Sequence, residues 1–289
     1  MAARAEAEPR PPSLAAAGRG TASRSARRGP ADPGELFLEV ADAFERKGDL
    51  AQQLRIYREF IERFGDDPTQ SRRVIQALAK TAEVHRRVGN RKDAQRAWHR
   101  LIQAYHRRGI GPDVPEVRHL AEAVFWLGDD DFQAFMAAHL EVKPLTGGSK
   151  RRRQKALKLN REAERALMGR VAPLLSHYDA VIDHDSPGWT VAALYRVGRI
   201  HQRLAQVLVA APNPYPTADE RSAAHRASIE RRATELRGAA LKAFERAYAE
   251  ATAHRVANEW ARKVFQALHA AKPRDYPLER EDRRLRALP

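Results

Sequence analysis

Residues 43–64 read AFERKGDLAQQLRIYREFIERF, and residues 84–105 read VHRRVGNRKDAQRAWHRLIQAY. In each stretch one helix-like pattern ends at a glycine, Gly48 or Gly89, and a second helix-like pattern follows. An aromatic residue, Tyr57 or Trp98, stands nine positions after that glycine, and the two glycines are 41 positions apart. Pairs of helices that recur at a fixed spacing indicate a fold built from repeated helical hairpins.

The helical period continues outward from these two stretches, with Gly, Pro, Asn and Asp dividing it into segments. We predict helices at 35–47, 50–64, 70–88, 91–108, 115–127, 131–141, 149–183, 188–211, 217–252 and 256–271. No segment alternates at period two, so we expect an all-α protein without strands. The predicted helix at 149–183 would join an N-terminal block of repeats to a C-terminal block.

The chain divides into four parts by composition. Residues 1–34 are rich in Ala, Arg, Pro, Gly and Ser and have almost no large apolar residue, which predicts a disordered tail. Degenerate repeats occupy 35–142, and a helical domain with an extended pair and a capping helix occupies 149–271. Residues 272–289 form a C-terminal tail. Residues 1–34 also lack the apolar core of roughly 7–15 residues found in secretion signals, which favours a cytoplasmic protein. A start codon further upstream would instead allow the periplasm or cell envelope.

Composition and motifs argue against several functions. The chain has no cysteine, which excludes disulfides, thiol catalysis and a cysteine-ligated metal. No apolar run approaches the roughly 20 residues of a membrane span. HExxH, GxSxG and glycine-rich phosphate loops are missing, so we expect no enzyme activity, no cofactor and no small-molecule substrate. His177, Asp183 and His184 share part of one helix face, but a metal site needs about three or four converging ligands, and we predict none.

The chain is strongly basic, with a net charge of +15 and a pI near 10.5. Abundant Arg, Ala and Pro are typical of a GC-rich bacterial genome as well as of a binding surface. Only residues 149–170 are strongly one-sided, with nine basic and two acidic side chains. The favoured interpretation is the solvated face of a helix, and the other is a patch for an acidic protein, nucleic acid or anionic lipid headgroup. The candidate patch residues are Lys150, Arg151, Arg152, Arg153, Lys155 and Lys158. Aromatic residues are missing from 149–177, so bases would have no stacking platform there.

The turn glycines and aromatic positions resemble the tetratricopeptide repeat (TPR). In a TPR the first helix presents a large residue, a large-small pair and another large residue, and the second helix presents a small, an aromatic and a small residue. The positions that this resemblance assigns to packing between helices are Phe37, Ala41, Phe44, Tyr57, Ala82, Ala94, Trp98, Gly198, Ala240, Phe244 and Ala247. Some TPR proteins bind a C-terminal carboxylate with Lys and Asn on their inner helices. The corresponding residues here, Leu38, Asp42, Lys80 and Glu83, do not form that pattern.

The best match to the second TPR helix is GAALKAFERAYAEA at 238–251. Its first helix would be LYRVGRIHQ at 194–202. Because Gly198 and Ala240 have the smallest side chains, we expect the two backbones to approach closely there, with Phe244 filling the groove between them. About 30 additional residues, 205–234, lengthen both helices beyond an ordinary repeat.

Three C-terminal stretches resemble a narrower group of proteins. They are WTVAALYRVGRIHQRLAQVLVAAPNPYP (189–216), KAFERAYAEA (242–251) and VANEWARKVFQALHAAKPRDYPLERE (256–281). They are similar to TPR proteins of myxobacteria and related bacteria, including envelope components of the gliding-motility machinery. The resemblance implies a non-enzymatic protein-interaction scaffold in a larger bacterial assembly, with unknown partners. The alternative is a module that binds nucleic acid or another anionic surface through residues 149–170.

Overall fold

The computed structural model describes residues 32–277, and every regular element in this range is helical. The α-helices are α1 (Pro33–Lys47), α2 (Leu50–Phe64), α3 (Ser71–Arg87), α4 (Arg91–Arg107), α5 (Val117–Leu127), α6 (Asp129–Met136), α7 (Lys150–Gly169), α8 (Val171–Ile182), α9 (Pro187–Ala210), α10 (Glu220–Ala253) and α11 (Glu259–Ala271). A 3-10 turn, Pro68–Gln70, precedes α3. The all-α prediction is confirmed. Residues 1–31 of the predicted N-terminal tail, and 278–289 of the C-terminal tail, lie outside the described residues. The disorder predicted for residues 32–34 is wrong, because Asp32 caps α1 and residues 33 and 34 begin it.

The first two hairpins turn in the same way. Gly48 ends α1 with φ of 74°, and Gly89 follows α3 with φ of 79°, a left-handed conformation that glycine adopts without steric cost. The Gly48 amide donates to Glu45 O and the next amide to Phe44 O; the same two bonds recur from Gly89 and Asn90, 41 residues later. The hydrogen bonds thus have the same spacing as the sequence repeat.

Helices α1–α4 enclose the first apolar core, in which α3 packs against both α2 and α4. The aromatic residues of the repeat lie inside it: Tyr57 and Trp98 are each 1% exposed. The Phe37 ring packs against Phe60 and Phe64, with centroids 6.0 and 5.8 Å apart. Burying a large apolar side chain stabilises a fold by roughly 1.5–3 kcal/mol, so these positions contribute strongly to the hairpin contacts.

Helix α5 belongs to both cores. A second apolar core is formed by α5, α6, α8–α11 and the end of α7. Leu120 and Ala123 of α5 face the first core, whereas Ala121 and Phe125 face the second. Phe132 of α6 is also buried there. Side chains from within the predicted repeat segment 35–142 therefore pack into the C-terminal half.

The most extensive helix contact is between α9 and α10. Phe244 of α10 lies directly over Gly198 of α9, so a β-carbon at Gly198 would be only 2.3 Å from Phe244 Cε1. Ala240 and Ala247, on the same face of α10, are buried, whereas Ala249 is exposed. The small side chains thus lie where the two backbones are closest.

The predicted single helix at 149–183 is wrong. Helix α7 ends at Gly169, and α8 begins at Val171 after one intervening residue, Arg170. Pro173 explains the break, because it donates no backbone hydrogen bond and its ring would clash with the carbonyl of Gly169 in a continuous helix. In the first turn of α8 the same proline is tolerated.

The predicted helix at 131–141 starts and ends earlier, as α6. After Met136 the chain runs beside the extended pair toward its tip. Arg203 Nη2 donates to Ala138 O at 2.7 Å, and Leu145 N donates to Pro214 O at 2.7 Å. These contacts with α9 and the α9–α10 turn replace the helical hydrogen bonds that continuation of α6 would have supplied.

Candidate interaction surfaces

The predicted basic patch forms the N-terminal half of α7. Ser149 caps this helix, with its Oγ accepting a hydrogen bond from Arg152 N. All six candidate patch residues are exposed: Lys150, Arg151, Arg152, Arg153, Lys155 and Lys158. Lys158 lies 3.8 Å from Glu162, and among the described residues the other five side chains have no ion pair. The patch is therefore a dense group of cations facing solvent.

Only the C-terminal half of α7 is anchored. Leu167 is its one buried side chain, and Glu164 pairs with Arg232 of α10 at 2.6 Å. Asn160 holds the preceding connection, since its side chain accepts from Lys143 N at 2.7 Å and donates to Lys143 O at 2.9 Å. The cations lie at the N-terminus, where the helix dipole disfavours positive charge, so they do not stabilise α7.

A second surface is a groove between α2 and α4, with α3 as its floor. It comprises two adjoining depressions of about 320 and 650 Å³ that share Ile61, Glu62 and Arg100. We call it the α2–α4 groove. Its complete lining is Leu54, Arg58, Ile61, Glu62, Gly65, Asp66, Pro68, Ser71, Val74, Leu78, Thr81, His85, Asp93, Arg96, Ala97, Arg100, Gln103, Ala104, Arg107 and Arg108. Sequence reasoning did not identify this groove, because three separate helices form it.

His85 lies at one end of the α2–α4 groove. Burial lowers the pKa of its imidazole below the ordinary value, which favours the neutral ring. Its Nδ1 is buried and has no hydrogen-bond partner among the described residues. At the opposite end the Arg108 guanidinium donates to Gly65 O and to Ser71 Oγ, which ties the end of α4 to that of α2. The two walls of the groove are thus fixed relative to each other.

The inner faces of α1 and α3 carry an ion-pair network instead of a free cation. Lys80 Nζ lies 3.5 Å from a carboxylate oxygen of Glu45 and 3.5 Å from one of Glu83. Arg87 also contacts Glu45, at 3.3 Å. Because Lys80 already has two carboxylate partners, this surface does not present the free lysine that a carboxylate clamp requires.

The assigned packing positions differ in burial. Nine are buried, namely Ala41, Tyr57, Ala82, Ala94, Trp98, Gly198, Ala240, Phe244 and Ala247, while Phe37 and Phe44 are partly exposed. Burial raises the pKa of the Tyr57 hydroxyl to about 12, and this hydroxyl accepts a hydrogen bond from Gln53 Nε2 at 3.4 Å. These residues hold helices together and leave little surface for a ligand.

A buried arginine in the second core was also missed. Arg196 is 6% exposed, its guanidinium lies 3.8 Å from the Phe132 ring centroid, and its Nη2 donates to Asp129 Oδ1 at 2.8 Å. The rings of Phe125 and Trp260 lie further out, at 5.4 and 5.5 Å. This cation-aromatic cluster joins α6 to α9 and is a structural feature of the interface. The only signal in the sequence was a charged residue inside an apolar helical run.

His177, considered above as a possible metal ligand, has another contact. His177 Nε2 lies 2.9 Å from Val124 O, to which the neutral ring donates, and burial lowers its pKa. Within residues 32–277 no group of three His, Asp or Glu side chains is arranged to bind a metal ion. In the same residues no helix is long and apolar enough to cross a membrane.

Comparison with known proteins adds no family assignment. No protein-family model matches the chain, and no curated protein is detectably similar to it in sequence. The surfaces described above are therefore the basis for proposing a function.

Proposed function

We propose that the chain is a non-enzymatic protein-interaction scaffold of the TPR type and a component of a larger bacterial assembly. The observation that carries this proposal is the repeated hairpin geometry. The turns at Gly48 and Gly89 use the same hydrogen bonds 41 residues apart, and the aromatic residues after them are buried at equivalent positions. Stacked helical hairpins leave long grooves between neighbouring helices, and such grooves suit peptide segments of other proteins.

The shifted titratable groups also support a structural role. Burial accounts for the lowered pKa of His85 and His177 and for the raised pKa of Tyr57. Two of these three rings are hydrogen-bonded within the fold, to Val124 O and Gln53 Nε2. Groups with shifted pKa values often mark catalytic sites, but packing explains these shifts without a reaction.

Photo-cross-linking in cells of the source organism tests the scaffold proposal. A photoreactive amino acid is placed at Glu39 on α1, at Gln103 in the α2–α4 groove or at Arg151 on α7, all of which are exposed. We expect light-dependent cross-links from Glu39 or Gln103 to a reproducible protein, identified by mass spectrometry, with unirradiated cells as the control. If neither position yields a protein and Arg151 cross-links only to nucleic acid, the scaffold proposal is wrong.

The second candidate function is binding of an anionic surface through α7. The observation that favours it is the set of exposed cations at the N-terminus of α7, which lack ion pairs in the described part of the chain and oppose the helix dipole. Affinity for duplex DNA should then fall steeply with salt and be lost when Arg151, Arg152 and Arg153 are replaced by Gln. Weak binding that the triple replacement leaves unchanged would exclude this function.

A further inference from the structure

We propose that the α2–α4 groove binds an acidic amphipathic helix of a partner protein. This inference rests on the proposed scaffold function and specifies where the partner binds and what its chemistry is. It depends on three features of the groove, which are its shape, its apolar side chains and its uneven charge.

The shape comes from two ridges with the same helical spacing. Leu54, Arg58 and Ile61 of α2, and Gly65 directly after its end, line the groove at intervals of four, three and four residues. Arg96, Arg100, Gln103 and Arg107 line it from α4 at the same intervals. At about 1.5 Å per residue each ridge extends roughly 16 Å, the length of about three helical turns. Two ridges over a third helix form the kind of groove that accommodates an amphipathic helix.

The groove also presents apolar side chains of α2 and α4 to such a helix. Leu54, Ile61 and Ala104 are partly exposed to the groove, and Val74 and Leu78 lie buried beneath them in the first core. The partner's apolar side chains would therefore contact side chains that the core already holds in place. Burial of this surface stabilises a complex by roughly 25 cal/mol per Å², which a purely ionic surface does not provide.

The α4 wall is basic, although Arg96 forms an ion pair with Asp93 of the same wall. Arg100 and Arg107 make no ion pair within residues 32–277, and neither does Arg58 on the opposite wall. Glu62 and Asp66, also on the α2 side, are likewise without an ion pair there. The charge is therefore asymmetric across the groove. A bound helix would place its acidic residues along α4 and uncharged or basic residues toward Glu62 and Asp66.

Nucleic acid fits this groove poorly. Glu62 and Asp66 would repel phosphates, and none of the lining residues is a Phe, Tyr or Trp on which a base could stack. A phosphate backbone would also leave Leu54, Ile61 and Ala104 uncovered. An acidic amphipathic helix can contact both the cations and these apolar side chains, so we favour it over nucleic acid.

A designed probe peptide provides the test. The probe is a fluorescein-labelled 16-residue peptide with leucines on one helical face, glutamates along one flank and glutamines elsewhere. A scrambled peptide of the same composition is the control, and binding to the full chain is followed by fluorescence anisotropy. We expect saturable binding of the probe and at least about tenfold weaker binding of the scrambled peptide, because only the probe presents a continuous apolar face.

Charge reversals locate the binding site. Arg100→Glu with Arg107→Glu should weaken probe binding at least about tenfold, because both charge-assisted contacts are lost. Arg151→Glu with Arg153→Glu on α7 changes the net charge equally and should change affinity less than about twofold. Glu62→Gln removes a repelling charge and should strengthen binding, a gain that an unfolded variant would not show. All five side chains are exposed, and thermal melts verify the fold of each variant.

Three outcomes would overturn the proposal. They are an absence of probe binding, equal binding of the scrambled peptide, and equal weakening by the α4 and α7 reversals. The last two outcomes would mean that the basic chain attracts any polyanion without specificity. In that case duplex DNA should also displace the probe. If Glu39 still cross-links to a protein while the probe does not bind, the scaffold function stands and the α2–α4 groove is not its docking site.

Discussion

Replacing Gly198 by alanine should destabilise the protein, although alanine is the better helix former. Gly198 lies in the middle of α9, and a β-carbon there would be 2.3 Å from Phe244 Cε1 and 2.7 Å from both Cδ1 and Cζ. Ordinary van der Waals contacts of a β-carbon begin near 3.4 Å. The ring would therefore have to shift by about 1 Å.

The space around the Phe244 ring determines how much stability the Gly198→Ala replacement costs. Phe244 is 3% exposed, and its ring packs beside Tyr195 with centroids 5.9 Å apart, so it has little room to move. Overpacking of a close contact costs about 1–3 kcal/mol, and three atoms in conflict favour the upper part of that range. The higher helix propensity of alanine offsets at most about 1 kcal/mol. We expect a net loss of about 1–2 kcal/mol in the free energy of unfolding.

Urea unfolding followed by circular dichroism in a double-mutant cycle measures this balance. Phe244→Ala alone should cost about 3–5 kcal/mol. In that background Gly198→Ala should change sign and stabilise by up to about 1 kcal/mol, because the conflicting ring is gone. Gly238→Ala is the control, since Gly238 is exposed on α10 with no neighbouring atom within 4 Å of an added β-carbon. If Gly198→Ala stabilises as much as Gly238→Ala while Phe244 is present, the close-contact reasoning is refuted.

Three further predictions concern the same fold. Ala240→Leu should cost about 1–3 kcal/mol in urea melts because Ala240 is buried against α9, whereas Leu at exposed Ala249 should cost less than about 0.5 kcal/mol. Replacing Arg151–Arg153 by Gln should leave the melting temperature nearly unchanged, since their side chains face solvent; a clear loss would show a structural role. Burial lowers the pKa of His177 below that of the unfolded chain, so its contribution to stability is present above about pH 6.5 and declines as the pH falls below that value. The melting temperature should therefore decrease from pH 7.5 to 5.5, and His177→Gln should reduce this decrease.

The sequence predicted the structure best where a feature depends only on residues close together in the chain. A left-handed turn needs glycine, which is why Gly48 and Gly89 marked the hairpin ends. The spacing of Ala240 and Phe244 similarly predicted the close approach to Gly198, because side chains four residues apart share one helix face. These inferences needed no knowledge of the distant parts of the chain.

Long-range packing was harder to predict. The break between α7 and α8 was missed although Pro173 lies just after it, because a proline can also kink a helix without ending it. Arg196 shows the larger difficulty, because its burial depends on Phe132 and Asp129, more than 60 residues earlier in the chain. A buried cation is costly without a partner, and the sequence did not show where that partner would lie.

The basic wall that α4 contributes to the α2–α4 groove was not apparent from the net charge of each sequence segment. Arg96, Arg100 and Arg107 are separated by uncharged residues and histidine, so α4 did not stand out beside the continuous run that begins at Lys150. Their spacing of four and seven residues places all three along one wall of the α2–α4 groove. The periodicity of charge, rather than its density, indicates this surface.

The two basic surfaces should therefore respond differently to salt. The cations of α7 lie close together in solvent, so binding there would come mainly from counterion release and would fall steeply with ionic strength. The arginines of α4 instead stand about one turn or two turns apart beside Ile61 and Ala104, and apolar contact does not weaken when salt screens charge. A partner that remains bound at high salt would thus belong in the α2–α4 groove, whereas one that dissociates completely would belong on α7.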